Sequence, residues 1–241
     1  MTLFITSSPF VENAPRAILS PANAFIDNIR QALPENPRVL FVCADPEDHQ
    51  GVCRFAAETT AAFAEAGIAF SCYHVLDGRN SRSTQALLNR SDFVILSGGH
   101  VPTQNAFFQK IHLPQLLQDF EGTVMGISAG SMNCAQTVYA GPELEGEAID
   151  PLFERWIPGL GLTDINIFPH FQSLKDDYLD GLRLIEDITF ADSMGHEIIA
   201  LNDGSYILLD DGRATLYGEA YRIRDGHLTQ ICADGESVRL R

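Results

Sequence analysis

Thr123-Val124-Met125-Gly126-Ile127-Ser128-Ala129-Gly130-Ser131-Met132-Asn133 is the stretch on which the reading of this chain turns. An apolar, β-prone run enters a Gly-x-Ser-x-Gly pattern at Gly126–Gly130, and a helix-compatible run leaves it. Strand, tight turn and helix in that order make a nucleophile elbow. Small flanking residues are needed because the serine must sit on a strained turn with its Oγ exposed, where bulkier neighbours would collide with adjacent strands. The amide of Ala129, directly after the serine, falls at the start of the helix, where unpaired donors and the helix dipole favour negative charge. The same three fixed positions also occur in a Gly-rich turn without chemistry, and the strand-before, helix-after context is what favours the functional reading.

Working outward, strand and helix alternate. Leu3–Ser8 reads as a first strand, Asn23–Leu33 as a helix ended by Pro34, and Arg38–Ala44 as an uninterrupted apolar strand of the kind buried in a parallel sheet. An alanine-rich helix spans Arg54–Ala66 and closes at Gly67. A strand at Ala69–Val75, a helix near Ser83–Asn89 and a strand at Phe93–Leu96 follow. A helical stretch between Gln104 and Phe120, interrupted at Pro114, leads into the elbow strand. This pattern predicts an α/β fold: a mostly parallel, doubly wound sheet with helices on both faces and active loops at the carboxyl ends of its strands.

Beyond the elbow the character changes. Gly141–Gly161 is a loop rich in Gly, Pro and acidic residues, whose aromatic pair Phe153 and Trp156 packs it down. Ile165–Phe168 is a short strand ending on Pro169 and His170, Tyr178–Ile185 has helical spacing, and Glu197–Leu201 is a strand ending at Asn202-Asp203-Gly204. Asp-Gly pairs at 203–204, 211–212, 225–226 and 234–235 are hairpin signals and predict a β-hairpin-rich C-terminal portion.

The 241 residues suffice for one large domain, or one with a small appendage, and 45% hydrophobic with 20% charged residues is a globular composition. No apolar run reaches the length of a membrane span, and the N-terminus lacks the basic start of a signal peptide, so the expected location is cytoplasmic. The five cysteines form no Cys-x-x-Cys pair and read as free thiols, with no zinc framework. A net charge of −16 opposes phosphate backbones and anionic membranes, which excludes nucleic acid and membrane surfaces as expected partners. An acidic substrate would need a local arginine, since screening limits the field's reach to about 8 Å at physiological salt.

A serine nucleophile needs a base and a group to orient the base. His170 and Asp203 stand at two strand ends after the elbow, and in a parallel sheet such ends converge on the elbow's edge. An α/β-hydrolase order, acid before histidine, would instead recruit Asp150 or Asp164 with His196 or His227. Singly, His170 is also compatible with a hydrogen-bonded histidine beside a proline, and Asp203 with a turn residue. Ser97-Gly98-Gly99-His100 closes the strand before the elbow strand, where Gly99 could turn a second amide toward an oxyanion.

Together the elbow Gly126–Gly130, the Gly98-Gly99 turn, Phe168-Pro169-His170-Phe171, Leu201-Asn202-Asp203-Gly204 and the first strand resemble the peptidase S51 family, which includes dipeptidase E and cyanophycinase. That fold is similar to the class I glutamine amidotransferase domain, which carries a cysteine where this chain has Ser128. The resemblance runs to about residue 209 and implies a single domain over 1–241. It also implies Ser128 as nucleophile, His170 as base, Asp203 as third member and the Gly99 and Ala129 amides as oxyanion donors. The implied activity is a serine peptidase on short peptides, including dipeptides with N-terminal Asp, with no metal or organic cofactor. Other acyl substrates, an ester or an isopeptide, and a non-catalytic binding role on the same fold are the competing readings. Dipeptidase E usually has asparagine and glutamate where this chain has His100 and Asp203. Its aspartate-binding arginine has no clear counterpart: Arg183 is the only arginine between His170 and Asp203, and Arg54, Arg90 and Arg155 are other cations available.

Overall fold

The structure, a computed structural model, describes residues 1–240. The first half of the chain builds β1 (Thr2–Thr6), α1 (Phe25–Ala32), β2 (Arg38–Val42), α2 (His49–Glu65), β3 (Cys72–Leu76), α3 (Thr84–Leu88), β4 (Phe93–Leu96), α4 (Val101–Lys110), α5 (Leu113–Leu117), β5 (Thr123–Ile127) and α6 (Ala129–Met132). The five strands pair in parallel in the order β3-β2-β4-β5-β1. Alternate residues of a strand face opposite sides of a sheet, yet every residue of β4 and β5 is buried, as are four of the five in β2, so both faces are covered. Asp48 caps α2 by accepting the Gly51 N–H at 2.9 Å, which starts that helix earlier than its alanine-rich part. The break between α4 and α5 lies at His112, which is left-handed (φ 56°), while Pro114 sits in the first turn of α5, where its missing N–H is harmless. Pro114 therefore opens a helix instead of interrupting one.

The second half adds β6 (Thr137–Tyr139), β7 (Trp156–Pro158), β8 (Asn166–Phe168), α7 (Phe171–Leu174), β9 (Tyr178–Leu179), β10 (Leu182–Arg183), α8 (Phe190–Asp192), β11 (Glu197–Leu201), β12 (Tyr206–Asp210), β13 (Arg213–Tyr217), β14 (Ala220–Arg224), β15 (His227–Cys232) and β16 (Ser237–Arg239). Three of these, β12, β13 and β16, extend the central sheet antiparallel beyond β1. A second sheet runs β15-β14-β11-β8, with β8 and β11 parallel. The strands bearing His170 and Asp203 thus pair with each other and not with the elbow strand. Two of the four Asp-Gly pairs make two-residue hairpin turns, at Asp211-Gly212 and Asp225-Gly226, with positive φ at both residues. The other two carry the chain from one sheet to the other.

The stretch Tyr178–Ile185 is not a helix. Asp180 (φ 54°) and Gly181 (φ 82°) turn it into the β9–β10 hairpin, and a π-helical turn at Leu184–Thr189 follows. The Asp180 carboxylate accepts the amides of Gly146 and Ala148 at 2.8 and 3.0 Å, and those bonds reward the hairpin over the helix. Trp156 packs the acidic loop down by stacking on His196 and lying tilted against Tyr139, whereas Phe153 sits under the Arg155 guanidinium. A separate apolar cluster, with Phe168, Phe171, Ile188, Ile198 and Ile223 at its heart, fills the space under the second sheet. Among the described residues no helix is long and apolar enough to cross a membrane.

Candidate active site

The elbow forms where β5 meets α6, and its glycines are dictated by contact. A side-chain carbon on Gly126 would lie 2.5 Å from the Ser131 backbone, and one on Gly130 only 2.2 Å from the Leu96 carbonyl oxygen. Ser131 Oγ closes the joint by accepting the Thr6 N–H and donating to the Thr6 carbonyl, both at 2.8 Å. Gly130→Ala is expected to cost about 3 kcal/mol, read as a drop in the denaturant midpoint, because the clash is with backbone that cannot rotate away.

Ser128 stands at the turn with φ 50° and ψ −113°. Such a backbone costs a non-glycine residue about 1–3 kcal/mol and persists only where surroundings over-determine it. Here the Ser128 N–H is shared between the carbonyls of Thr6 and Ser7, and its own carbonyl accepts the N–H of Ser131 and Met132. Its Oγ lies 2.9 Å from His170 Nε2, and His170 Nδ1 lies 2.7 Å from Asp203 Oδ1. A carboxylate only accepts, so Nδ1 carries the proton and the Nε2 lone pair faces the serine hydroxyl.

His170 is itself left-handed (φ 57°). Its N–H donates to Ser7 Oγ at 2.7 Å, and Ser7 Oγ donates in turn to Asp203 Oδ1 at 2.7 Å. One hydroxyl at the carboxyl end of β1 thereby fixes both the histidine backbone and the carboxylate. The Asp203 N–H is taken by Gln172 Oε1 at 2.9 Å. Burial alone would raise the Asp203 carboxyl, but the hydrogen bonds from His170 and Ser7 outweigh it and hold the group below the usual carboxylate range. Neither Ser7 nor Gln172 is marked by any motif. The available signal for Ser7 was the pairing of the first strand with the elbow strand, which puts the end of β1 beside Ser128. Ser7→Ala is expected to lower kcat roughly tenfold with KM nearly unchanged, the loss of one hydrogen bond to a charged group.

The Gly98-Gly99 turn runs against the elbow: a side-chain carbon on Gly98 would sit 3.6 Å from Ser128 Cβ. One on Gly99 would overlap Ala44 Cβ at 2.4 Å, so glycine is required there. Among the described residues, no internal acceptor takes the N–H of Gly99 or of Ala129. His100, next in sequence, turns away, with Nδ1 2.8 Å from Thr103 Oγ1 and Nε2 3.0 Å from Glu147 Oε1.

Ser128 and His170 open on a cavity of about 320 Å³ whose walls include Met132, Phe168, Leu174 and Leu179. The alternative partners lie elsewhere: His196 stacks on Trp156, His227 bonds the Asp225 carbonyl within its hairpin, Asp150 accepts the Leu152 N–H, and Asp164 lines a different cavity. Among the described residues no group of three or more His, Cys, Asp or Glu side chains is arranged to hold a metal.

Fold and site together are those of an α/β protein that presents a serine, a histidine and an aspartate in one hydrogen-bonded series. A family model described as peptidase family S51 matches residues 3–217, and the chain belongs to that family. Two solved structures share its fold. One is a peptidase from an acI-B1 Actinobacterium, 17% identical, with TM-score 0.63 over 99% of this chain and 96% of that one. The other is a putative peptidase E protein from Listeria monocytogenes EGD-e, 14% identical, with TM-score 0.58 over 100% of this chain and 98% of that one. No curated protein sequence gives a match.

Proposed function

We propose that the chain is a serine-type peptidase of short peptides, working through Ser128, His170 and Asp203. The observation that carries this reading is the unbroken hydrogen-bonded series from Ser128 Oγ through the imidazole to the Asp203 carboxylate, with the serine on a strained elbow beside a cavity. Ser128 Oγ attacks the peptide carbonyl while its proton passes to His170 Nε2. The amides of Gly99 and Ala129 stabilise the oxyanion, each worth about 10² to 10³ in turnover. His170 returns the proton to the leaving amine, a water then hydrolyses the acyl-enzyme by the same proton route, and Asp203 holds the imidazole in the required tautomer throughout.

Short peptides suit a cavity of about 320 Å³, at the lower end of ligand-binding pockets. The test is hydrolysis of a mixed panel of dipeptides and tripeptides, including N-terminal Asp members, by the wild type and by Ser128→Ala. Release of free amine by the wild type alone is expected. Equal release by both proteins would refute the assignment.

A further inference from the structure

The cavity beside Ser128 carries two acidic side chains and, apart from His170, no basic one. Glu143 and Asp177 are in its lining, and no lysine or arginine is. Each arginine that might have received an acidic side chain is engaged or placed elsewhere. Arg183 is held by Asp187 through Nε at 3.0 Å and Nη2 at 2.7 Å. Arg155 donates to the Ala148 carbonyl, stacks on Phe153 and faces Asp192 at 3.7 Å. Arg54 lines a neighbouring cavity that borders the Gly98-Gly99 turn but includes neither Ser128 nor His170, and it has Asp45, Asp48 and Glu58 for company there; Arg90 precedes β4, at the end of the sheet opposite the elbow.

The two carboxylates are on backbone that is pinned in place. The Glu143 and Leu144 amides both donate to Glu147 Oε2 at 2.9 Å, and the other Glu147 oxygen is held by His100. Asp180 secures the same segment from the hairpin side. The Asp177 carbonyl accepts the Leu184 N–H at 2.9 Å and its own N–H reaches the Leu174 carbonyl at 3.0 Å. Desolvation raises the Glu143 carboxyl above the usual carboxylate range, against the pull of His100, the Val101 N–H and His170. A cation arriving beside it offsets that desolvation, and a further anion would worsen it. Apolar walls with an acidic rim match a long aliphatic stem that ends in a positive charge.

We infer that the cavity selects peptides in which a lysine or arginine supplies the scissile carbonyl, and that Glu143 and Asp177 receive the side-chain charge. The inference rests on Ser128 as nucleophile and on reading this cavity as the acyl-side pocket, and it turns the specificity away from N-terminal Asp.

The test uses calorimetric binding to Ser128→Ala, so that it does not depend on turnover. Three dipeptides are compared: Arg-Leu, its neutral isostere citrulline-Leu, and Asp-Leu. Arg-Leu is expected to bind about tenfold tighter than citrulline-Leu, the worth of one charge-assisted hydrogen bond, with Asp-Leu the weakest. Adding Glu143→Gln and Asp177→Asn should erase the arginine advantage while circular dichroism and the melting midpoint stay at the parent's values. Acetylating the α-amino group of both Arg-Leu and citrulline-Leu should preserve the advantage. Its disappearance on acetylation would assign the charge preference to the terminal ammonium and overturn the side-chain reading. Equal binding of Arg-Leu and citrulline-Leu, or tightest binding of Asp-Leu, would overturn the inference altogether. Wild-type protein that binds these peptides and hydrolyses none would instead refute the catalytic reading, with the charge preference still measured.

Discussion

Replacing Ser128 by alanine is expected to lower kcat by about 10⁶-fold on any peptide the wild type cleaves, with the unfolding midpoint close to the wild type's. The size of the loss follows from what the hydroxyl does in the proposed reaction. Without Oγ there is no acyl-enzyme, and His170 Nε2 has only water to activate, in a site arranged for a nucleophile 2.9 Å away. What remains is the stabilisation that the Gly99 and Ala129 amides give to an oxyanion and the binding of the peptide itself, together about 10³ to 10⁴ over water. Stability changes little because the elbow is held by its backbone: Ser128 N–H to Thr6 and Ser7, and Gly126 and Gly130 packed against Ser131 and Leu96. Alanine can occupy φ 50° at no greater cost than serine. Single-turnover amine release, with circular dichroism as the folding control, gives the number. A residual rate within tenfold of the wild type's would remove Ser128 from the mechanism.

The elbow was legible in the sequence because everything that makes it is local. A strand, two glycines forced by contacts 2.5 and 2.2 Å away, and a helix start lie within a dozen residues. His170 and Asp203 were legible as strand ends, but their sheet was not. β8 has only three residues, and the apolar pattern of β11 fixes which face is buried without naming the neighbour it pairs with. The two sheets nevertheless deliver both side chains to the elbow, since β8 and β11 run parallel and end together. Tyr178, Leu182 and Ile185 fall at helical spacing, and the Asp180-Gly181 turn that overrides it draws its support from amides more than thirty residues away. Ser7 was invisible for a different reason. A hydroxyl at a strand end has no pattern, and its value comes from touching both the His170 amide and the Asp203 carboxylate.

The same geometry makes the carboxylate the second large lever. Asp203→Asn is expected to lower kcat about 10⁴-fold, far more than the loss of a hydrogen bond alone would give. Asparagine can place its NH₂ group against His170 Nδ1, and the ring then moves its proton to Nε2, leaving no lone pair toward Ser128 Oγ. Ser7 opposes that orientation, because its hydroxyl donates to the same Asp203 Oδ1 and needs an acceptor there. If the amide oxygen turns toward Ser7 and Nδ1 together, the tautomer survives, and the loss shrinks to that of an uncharged partner for the imidazolium. Asp203→Glu keeps the charge but must seat a longer side chain in a cradle set by contacts of 2.7 Å, so an intermediate loss is expected. Stability reports the charge independently of turnover. The Asp203 carboxyl is depressed in the folded protein, so its contribution is fully present above the unfolded-chain value of about 3.9 and disappears as pH falls through the lower folded value. Denaturant midpoints measured from pH 7 down to pH 2 should therefore converge for the wild type and Asp203→Asn at the acid end and separate above about pH 4, with the wild type the more stable. Parallel midpoints across that range, together with an unchanged kcat, would show that the carboxylate neither orients the imidazole nor carries charge in the native site.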